Sequence, residues 1–123
     1  GGSGGALAIG IGDRTLILKY SIYSVISPEG CAALVWRDSA EAPRAAAALR
    51  VGARDLHRLG LIDVLIPEPE GGAHSDHRLT ARRVMQEVEL ALRELLALDP
   101  DELVRLRHEK YIKMGRYATA SSR

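Results

Sequence analysis

The chain opens on Gly1-Gly2-Ser3-Gly4-Gly5, a run whose residue types suit the binding of a negatively charged oxygen. Where two neighbouring glycines begin a helix, both N–H groups can point at one oxygen, and the helix dipole favours negative charge at that end. Because glycine lacks a Cβ atom, a ligand can also approach the backbone closely. The run therefore indicates a backbone oxyanion hole, with a flexible linker or a plain tight turn as the equally weighted alternative.

Side chains suited to catalysis or metal binding are few. His74 and His77 have the spacing of two metal ligands, but a third ligand would have to come from Glu70 or Asp76 on the same loop. A solvated polar loop is therefore the favoured interpretation. Cys31 stands near a predicted helix start, which can lower the pKa of a thiol, but it leads an apolar run, which favours buried packing.

The last predicted helix carries an excess of basic side chains. They are Arg105, Arg107, Lys110, Lys113 and Arg116. A solvated helix face is the favoured interpretation, and a phosphate-bearing ligand or an acidic partner subunit is the functional alternative. His57 and His108 stand in charged helical segments, which favours surface positions for both.

The composition bounds the class of protein. With 123 residues, of which 46% are hydrophobic and 27% charged, the chain has the length of one folded domain with an aliphatic core. A net charge of +1 lacks the basic excess of a dedicated nucleic-acid binder, and one cysteine excludes a disulfide framework. No apolar run reaches the roughly 18 residues of a membrane span, and no signal peptide is recognisable, so the expected compartment is the cytoplasm.

The elements that position these residues follow from the apolar pattern. Residues 6–12, small and apolar, predict a short buried helix in which close packing requires small side chains. Residues 15–18 and 20–26 predict strands or extended segments, and residues 61–66 predict a buried strand. A loop rich in proline and glycine follows at residues 67–72.

Helices are predicted in between and after these segments. Ser27-Pro28-Glu29 starts one at residues 28–36, a second covers residues 42–49, and a third covers residues 53–59 and ends at a left-handed Gly60. A long amphipathic helix begins at about residue 79. A capping box at residues 99–102 starts the last helix, which runs to about Gly115. Whether these two C-terminal helices pack on the rest of the chain or on another chain stays open.

Two long segments resemble the carboxyltransferase alpha subunit of bacterial acetyl-CoA carboxylase. The first comprises residues 1–10 and continues in residues 20–32, around Ser-Pro-Glu-Gly-Cys. The second is residues 61–74, with the sequence LIDVLIPEPEGGAH. The resemblance covers nearly the whole chain and weakens after about His77. The glycine pair before a helix and the Gly-Leu-Ile-Asp run at residues 60–63 are also similar to the wider crotonase family.

The resemblance implies an α/β fold of the ClpP/crotonase type, a spiral of βα units that is incomplete at the N-terminus and followed by C-terminal helices. Residues 1–78 are then expected to be the C-terminal part of a crotonase-like carboxyltransferase domain. Residues 79–117 are a helical extension, and residues 118–123 a disordered tail. Family members have a further N-terminal portion, including the strand that leads into the glycine turn, so the chain is expected to be a C-terminal portion of the subunit.

The family's activity follows from the same resemblance. Such enzymes transfer the carboxyl group of carboxybiotin, held on a carrier protein, to acetyl-CoA, and the malonyl-CoA formed is the first committed intermediate of fatty acid biosynthesis. The alpha subunit holds the ureido oxygen of biotin on backbone amides, and biotin itself serves as the base. The matching donors in this chain are the amides of Gly4 and Gly5, with Ala6 as the next candidate.

The resemblance also implies partners. They are the carboxyltransferase beta subunit, in an α2β2 heterotetramer, the biotin carboxyl carrier protein, biotin carboxylase and acetyl-CoA. Zinc is expected on the beta subunit and none in this chain, and ATP is used in the separate biotin carboxylase step. Neither nucleic acid nor a membrane is expected as a partner, and the isolated chain is expected to be inactive.

Two other functions remain as alternatives. A crotonase-type acyl-CoA hydratase or isomerase would need a pair of glutamates over the thioester, and only Glu29 stands near a suitable position. A non-catalytic assembly module would use the apolar stripes of the C-terminal helices to bind a partner.

Overall fold

The structure, a computed structural model, describes residues 2–115 of the chain. In chain order its elements are α1 (Ser3–Gly10), β1 (Leu16–Leu18), α2 (Pro28–Trp36), α3 (Ala42–Leu49), α4 (Ala53–Arg58), β2 (Val64–Ile66), α5 (His77–Leu96) and α6 (Pro100–Ile112). Single 3₁₀ turns at Ser39–Glu41 and Ala73–Ser75 precede α3 and α5. Gly1, the final residues of the predicted helical extension (116–117) and the predicted disordered tail (118–123) lie outside the described residues.

The two strands form a parallel pair. Leu16 lies opposite Val64, and Leu18 lies opposite Ile66. Parallel neighbours require a long crossover connection, and α2, α3 and α4 supply it between β1 and β2. A strand, crossing helices and a parallel strand make the chain a mixed α/β protein, as the sequence predicts.

The core is small and aliphatic, and it lies where α4 meets the sheet. Its buried residues are Ile17, Ala53, Leu56 and Ile62, and the half-buried side chains that pack against them are Tyr23, Leu61 and Leu65. The position of Ile17 in the middle of β1 follows from the alternation of side chains along a strand, which buries the central residue of three. The buried residues of this core are Ile, Leu and Ala, as expected for a sequence that contains no phenylalanine.

Several predicted elements are confirmed. The helices α2 and α3 have the predicted bounds, and β1 and β2 lie within residues 15–18 and 61–66. Gly60 follows the end of α4 with φ of 74°, the left-handed conformation that only glycine adopts without strain. The Gly60 amide donates to the His57 carbonyl at 3.0 Å, which closes the helix end.

Residues 20–26 belong to neither strand, and the prediction of an extended segment is wrong at its ends, because the chain turns at Tyr20 and bends at Val25 and Ile26. The segment pairs with the connection between α3 and α4 through one isolated antiparallel bridge, Ile22 to Gly52. The Tyr23 amide donates to the Val51 carbonyl at 3.1 Å, and the Ala53 amide donates to the Ser21 carbonyl at 3.2 Å. That connection is only three residues long, which is too short for a ladder of strand hydrogen bonds.

The prediction that the first helix is buried is wrong for most of its side chains. It begins at Ser3, and Ala6 is its one buried residue. Leu7 and Ile9, which lie on different sides of the helix, are 69% and 62% exposed. Close packing is confined to the stripe of Ala6 and Gly10, which contacts Tyr23.

The long helix α5 begins at His77, two residues before its predicted start, because Asp76 caps it. The Asp76 carboxylate accepts a hydrogen bond from the Leu79 amide at 2.8 Å. The helix is tied to the rest of the chain by Arg83, which donates to the Pro67 carbonyl at 3.1 Å. The C-terminal helices therefore contact the N-terminal part of their own chain.

The predicted capping box of α6 is only half formed. One oxygen of Asp99 accepts hydrogen bonds from the amides of Asp101 and Glu102, at 3.0 Å each. The Glu102 carboxylate does not return to the start of the helix but binds Arg105, at 2.6 and 2.7 Å. This hydrogen bond holds the pKa of Glu102 below its ordinary value.

The Asp99 cap yields a stability prediction. Asp99→Ala leaves two amides at the start of α6 without their acceptor, so we expect the free energy of unfolding to fall by about 1 kcal/mol. Urea unfolding followed by far-ultraviolet circular dichroism measures it. Asp101→Ala is the matched control and should lose less, because the Asp101 side chain caps no amide in the described structure. Equal losses in the two variants would contradict the capping role.

Candidate functional site

The glycine-rich run forms the first turn of α1. Gly2 precedes the helix with φ of 100°, a left-handed conformation that turns the chain into the helix, and its amide donates to the Ser24 carbonyl at 3.2 Å. Ser3, Gly4 and Gly5 are the first three helical residues, so α1 contains no carbonyl four residues before them to accept their N–H groups. These amides point out of the positive end of the helix dipole. The geometry suits an anionic oxygen.

Gly4 and Gly5 are exposed and have open space around them. Within the described chain no atom lies within 4 Å of where a Cβ would stand at either position. Gly10, at the other end of the same helix, differs: a Cβ there would lie 2.6 Å from the hydroxyl of Tyr23. Packing inside the chain thus explains glycine at position 10 but not at positions 4 and 5.

The amide of Ala6, the next predicted donor, is already engaged. It donates to the Gly2 carbonyl at 2.7 Å, the first hydrogen bond of the helix. The Ala6 side chain is fully buried, and its carbonyl accepts a hydrogen bond from the Tyr23 hydroxyl at 2.5 Å. Ala6 is therefore an anchor of α1 rather than a free donor.

An apolar cleft of about 510 Å³ borders α1. Its walls include Leu7, Ile11, Val25, Leu61 and Met114. The polar side chains in its lining are those of one threonine and two tyrosines, and no carboxylate, histidine, cysteine, lysine or arginine is among the lining residues. The cleft is therefore lined by apolar and hydroxyl groups.

The predicted solvated face of α6 is confirmed for Arg105 and Lys113, whose side chains are 54% and 75% exposed, whereas Lys110 is only 17% exposed and binds groups of the N-terminal part of the chain. Arg105 binds Glu102 and Glu109, and these carboxylates hold the pKa of Arg105 above its ordinary value. Lys113 pairs with Glu109 at 3.2 Å, and Arg107 reaches Asp13 at 3.4 Å. Arg116 lies outside the described residues.

Lys110, Tyr111 and Asp63 form a contact that the sequence did not suggest. The Lys110 ammonium donates to the Asp63 carboxylate at 2.6 Å and to the Asp13 carbonyl at 3.3 Å. The Tyr111 hydroxyl donates to the carbonyls of Gly10 and Gly12. In the sequence, Tyr111 has only the spacing of an apolar helix stripe. No spacing pattern predicts a hydrogen bond to residues about 100 positions away.

The histidines and the cysteine lie apart from this geometry. His74 and His77 are exposed, as are His57 and His108. Cys31 is half-buried rather than buried as predicted. Across residues 2–115, no three side chains of His, Cys, Asp or Glu come together as metal ligands.

Comparison with known proteins places the chain in a family. Residues 1–115 match the family described as acetyl co-enzyme A carboxylase carboxyltransferase-like. The chain belongs to this family. It is 52% identical over 117 residues to the acetyl-coenzyme A carboxylase carboxyl transferase subunit alpha of Geobacter sulfurreducens, which is 95% of this chain and 37% of that protein.

Further members of the carboxyltransferase family give the same picture. The alpha subunit of Nitratiruptor sp. is 51% identical over 117 residues, covering 95% of this chain and 38% of its own length. That of a Thermus thermophilus strain is 49% identical over 118 residues, covering 96% and 38%. The chain thus spans somewhat more than a third of the curated relatives it matches.

Hydropathy adds one structural fact about this carboxyltransferase-like chain. Of the helices between residues 2 and 115, none is both long enough and apolar enough to cross a membrane.

The contrast among the three glycines of α1 predicts opposite effects on stability. Gly4→Ala and Gly5→Ala place a methyl group in open space and remove the entropic disadvantage of glycine in a helix, so each should stabilise by up to about 1 kcal/mol. Gly10→Ala forces the Tyr23 hydroxyl to move and should destabilise by about 1–3 kcal/mol. Thermal unfolding of the three variants measures the difference. A destabilising Gly5→Ala would contradict the open geometry.

Proposed function

We propose that the chain is part of the carboxyltransferase alpha subunit of a bacterial-type acetyl-CoA carboxylase. The reaction would transfer a carboxyl group from carboxybiotin on a carrier protein to acetyl-CoA and give malonyl-CoA for fatty acid biosynthesis. Family membership and identities of 49–52% to proteins of that name support the assignment. The observation that carries the site is the glycine pair in the first turn of α1, where a Cβ would stand in open space at both positions.

In this proposal the amides of Gly4 and Gly5 donate to the oxygen on which negative charge develops. Two aligned N–H groups at the positive end of a helix stabilise such a charge, and one donor of an oxyanion hole contributes about 3–4 kcal/mol elsewhere. Glycine at both positions leaves room for the ring that bears the oxygen to approach the backbone. Carboxybiotin, when bound, would supply both the carboxyl group and the base.

The residues present fit that group. Carboxybiotin would bring its own base, and the lining of the cleft beside α1 holds no carboxylate, histidine, cysteine, lysine or arginine that would compete with it. The Ala6 amide already donates to the Gly2 carbonyl, so Ala6 would not be a donor to the ligand. It would instead hold α1 in place through its buried methyl group and the hydrogen bond from Tyr23 to its carbonyl.

We further propose that the fold is a crotonase-like spiral to which this chain contributes part. The parallel pair β1 and β2, with helices in the crossover between them, supports this proposal, because such a spiral is built of βα units of this kind. Residues 1–78 would belong to the carboxyltransferase domain and residues 79–117 to a helical extension, with the division falling in the first turn of α5.

The proposed partners follow from the reaction. The beta subunit, carrying zinc, would hold the thioester enolate in an α2β2 assembly, and the carrier protein and the ATP-dependent biotin carboxylase would deliver the carboxyl group. The compartment would be the cytoplasm. Because the chain spans 37% of a relative's length, we propose that activity requires the rest of an alpha subunit together with the beta subunit.

Two alternatives are less well supported. A crotonase-type hydratase needs two glutamates at the thioester, whereas Glu29 is exposed in the first turn of α2 and no glutamate lines the α1 cleft. Hydration of a crotonyl thioester by the assembled protein would favour this alternative. A non-catalytic assembly module would leave the glycine pair without a role, although α5 does expose apolar side chains such as Leu92 and Leu96.

The glycine amides predict how the assembled enzyme responds to added side chains. Gly5→Val should lower the rate of carboxyl transfer by about 100-fold, because its side chain blocks approach to the donors. Biotin-dependent decarboxylation of malonyl-CoA by the alpha–beta assembly measures the rate. Gly52→Val is the matched control: Gly52 also has open space and a negative φ, but it lies at the start of α4.

The control variant should keep its rate. Thermal unfolding of both variants separates a lost site from a lost fold. A Gly5→Val enzyme that is folded, assembled and fully active would exclude the proposed oxyanion hole.

A further inference from the structure

The first turn of α1 cannot hold itself in place with side chains. Gly2, Gly4 and Gly5 have none, and Ser3 is exposed. At this end α1 is held by the Gly2 amide on the Ser24 carbonyl and by the Tyr23 hydroxyl on the Ala6 carbonyl. Further contacts that fix the direction of the Gly4 and Gly5 amides lie at the far end of the helix.

The far end of α1 is held by α6. Carbonyls at the end of a helix lack intrahelical partners, and here the Tyr111 hydroxyl donates to those of Gly10 and Gly12. Lys110, the neighbouring residue, donates to the carbonyls of Gly12 and Asp13 at 3.4 and 3.3 Å. Both side chains come from a helix about 100 residues later in the sequence.

Asp63 joins this contact to the sheet. Its carboxylate accepts hydrogen bonds from the Lys110 ammonium at 2.6 Å and from the Thr15 amide at 2.7 Å. Thr15 is buried and directly precedes β1. The Lys110 side chain is only 17% exposed, so this ion pair is shielded from solvent more than the others of α6. The end of α1, the start of β1 and α6 thus form one connected unit.

We propose that Tyr111 and Lys110 of α6 are positioning residues for the Gly4 and Gly5 amides. The inference rests on the oxyanion hole proposed above. From Gly10 to Gly4 the helix spans about 9 Å, so a tilt of about 6° at its held end moves the donors by about 1 Å. Displacements of that size in a reacting geometry reduce rates by up to about 100-fold.

The hydroxyl of Tyr111 is the atom to remove. Tyr111→Phe keeps the ring in the cleft and deletes only the bonds to α1. Tyr20→Phe is the matched control: Tyr20 is 62% exposed, and its hydroxyl bonds to no group among the described residues. Lys110→Gln is a second variant, which removes the charge that faces Asp63 but keeps a donor.

The experiment uses the complete alpha–beta assembly. We expect Tyr111→Phe to lower kcat by about tenfold, while KM for malonyl-CoA changes less than about twofold. Hydrogen exchange of the assembly without biotin should show faster exchange of the helical amides of residues 6–10. Tyr20→Phe should change neither quantity, and Lys110→Gln should follow Tyr111→Phe with a smaller effect.

The outcomes separate this inference from the proposed function. If Gly5→Val is inactive but Tyr111→Phe keeps both its kcat and its α1 exchange rates, the positioning role is wrong and the oxyanion hole stands. A lower thermal stability of Tyr111→Phe with unchanged kcat would likewise reduce Tyr111 to a structural residue. If Gly5→Val is active, both proposals fail together.

Discussion

Backbone amides can be aimed only by the path of the main chain. A side-chain donor finds its partner by rotating about its own bonds, whereas an N–H in the first turn of a helix points wherever the helix axis points. In this chain the axis of α1 is set by bonds near both of its ends. The Gly2 amide bonds to the Ser24 carbonyl just before the helix, and the Tyr23 hydroxyl holds the Ala6 carbonyl. At the other end Tyr111 of α6 holds the Gly10 carbonyl, and Lys110 binds the carbonyls that directly follow the helix.

Hydrogen bonds position α1 because hydrophobic burial contributes little to its placement. Full burial of an aliphatic side chain contributes about 1.5–3 kcal/mol, but Leu7, Ile9 and Ile11 of the α1 segment are all more than half exposed. Ala6 is the one residue of α1 that is buried. Within the described chain, the placement of α1 therefore depends on a few directional hydrogen bonds to its carbonyls.

Local signals in the sequence were sufficient to predict most of the helices and strands. Ser27 and Pro28 mark the start of α2, the glycine run marks the start of α1, and short aliphatic runs mark both strands. What fixes α1 was not predictable in the same way. The spacing of Tyr111 along α6 predicts a place in an apolar stripe, and that of Lys110 predicts a solvated face. A hydrogen bond from a side chain to a distant carbonyl produces no periodic pattern in the sequence from which it could be predicted.

The three glycines of α1 also show why residue type alone is ambiguous. At position 10 the Tyr23 hydroxyl occupies the space that a Cβ would need, so packing within the chain accounts for glycine there. Gly4 and Gly5 have helical φ and no neighbour within 4 Å of a Cβ, although glycine disfavours a helix by up to about 1 kcal/mol per residue. Neither conformation nor internal packing explains them. This lack of an internal reason for glycine is what supports the proposal of a backbone anion site at these two positions.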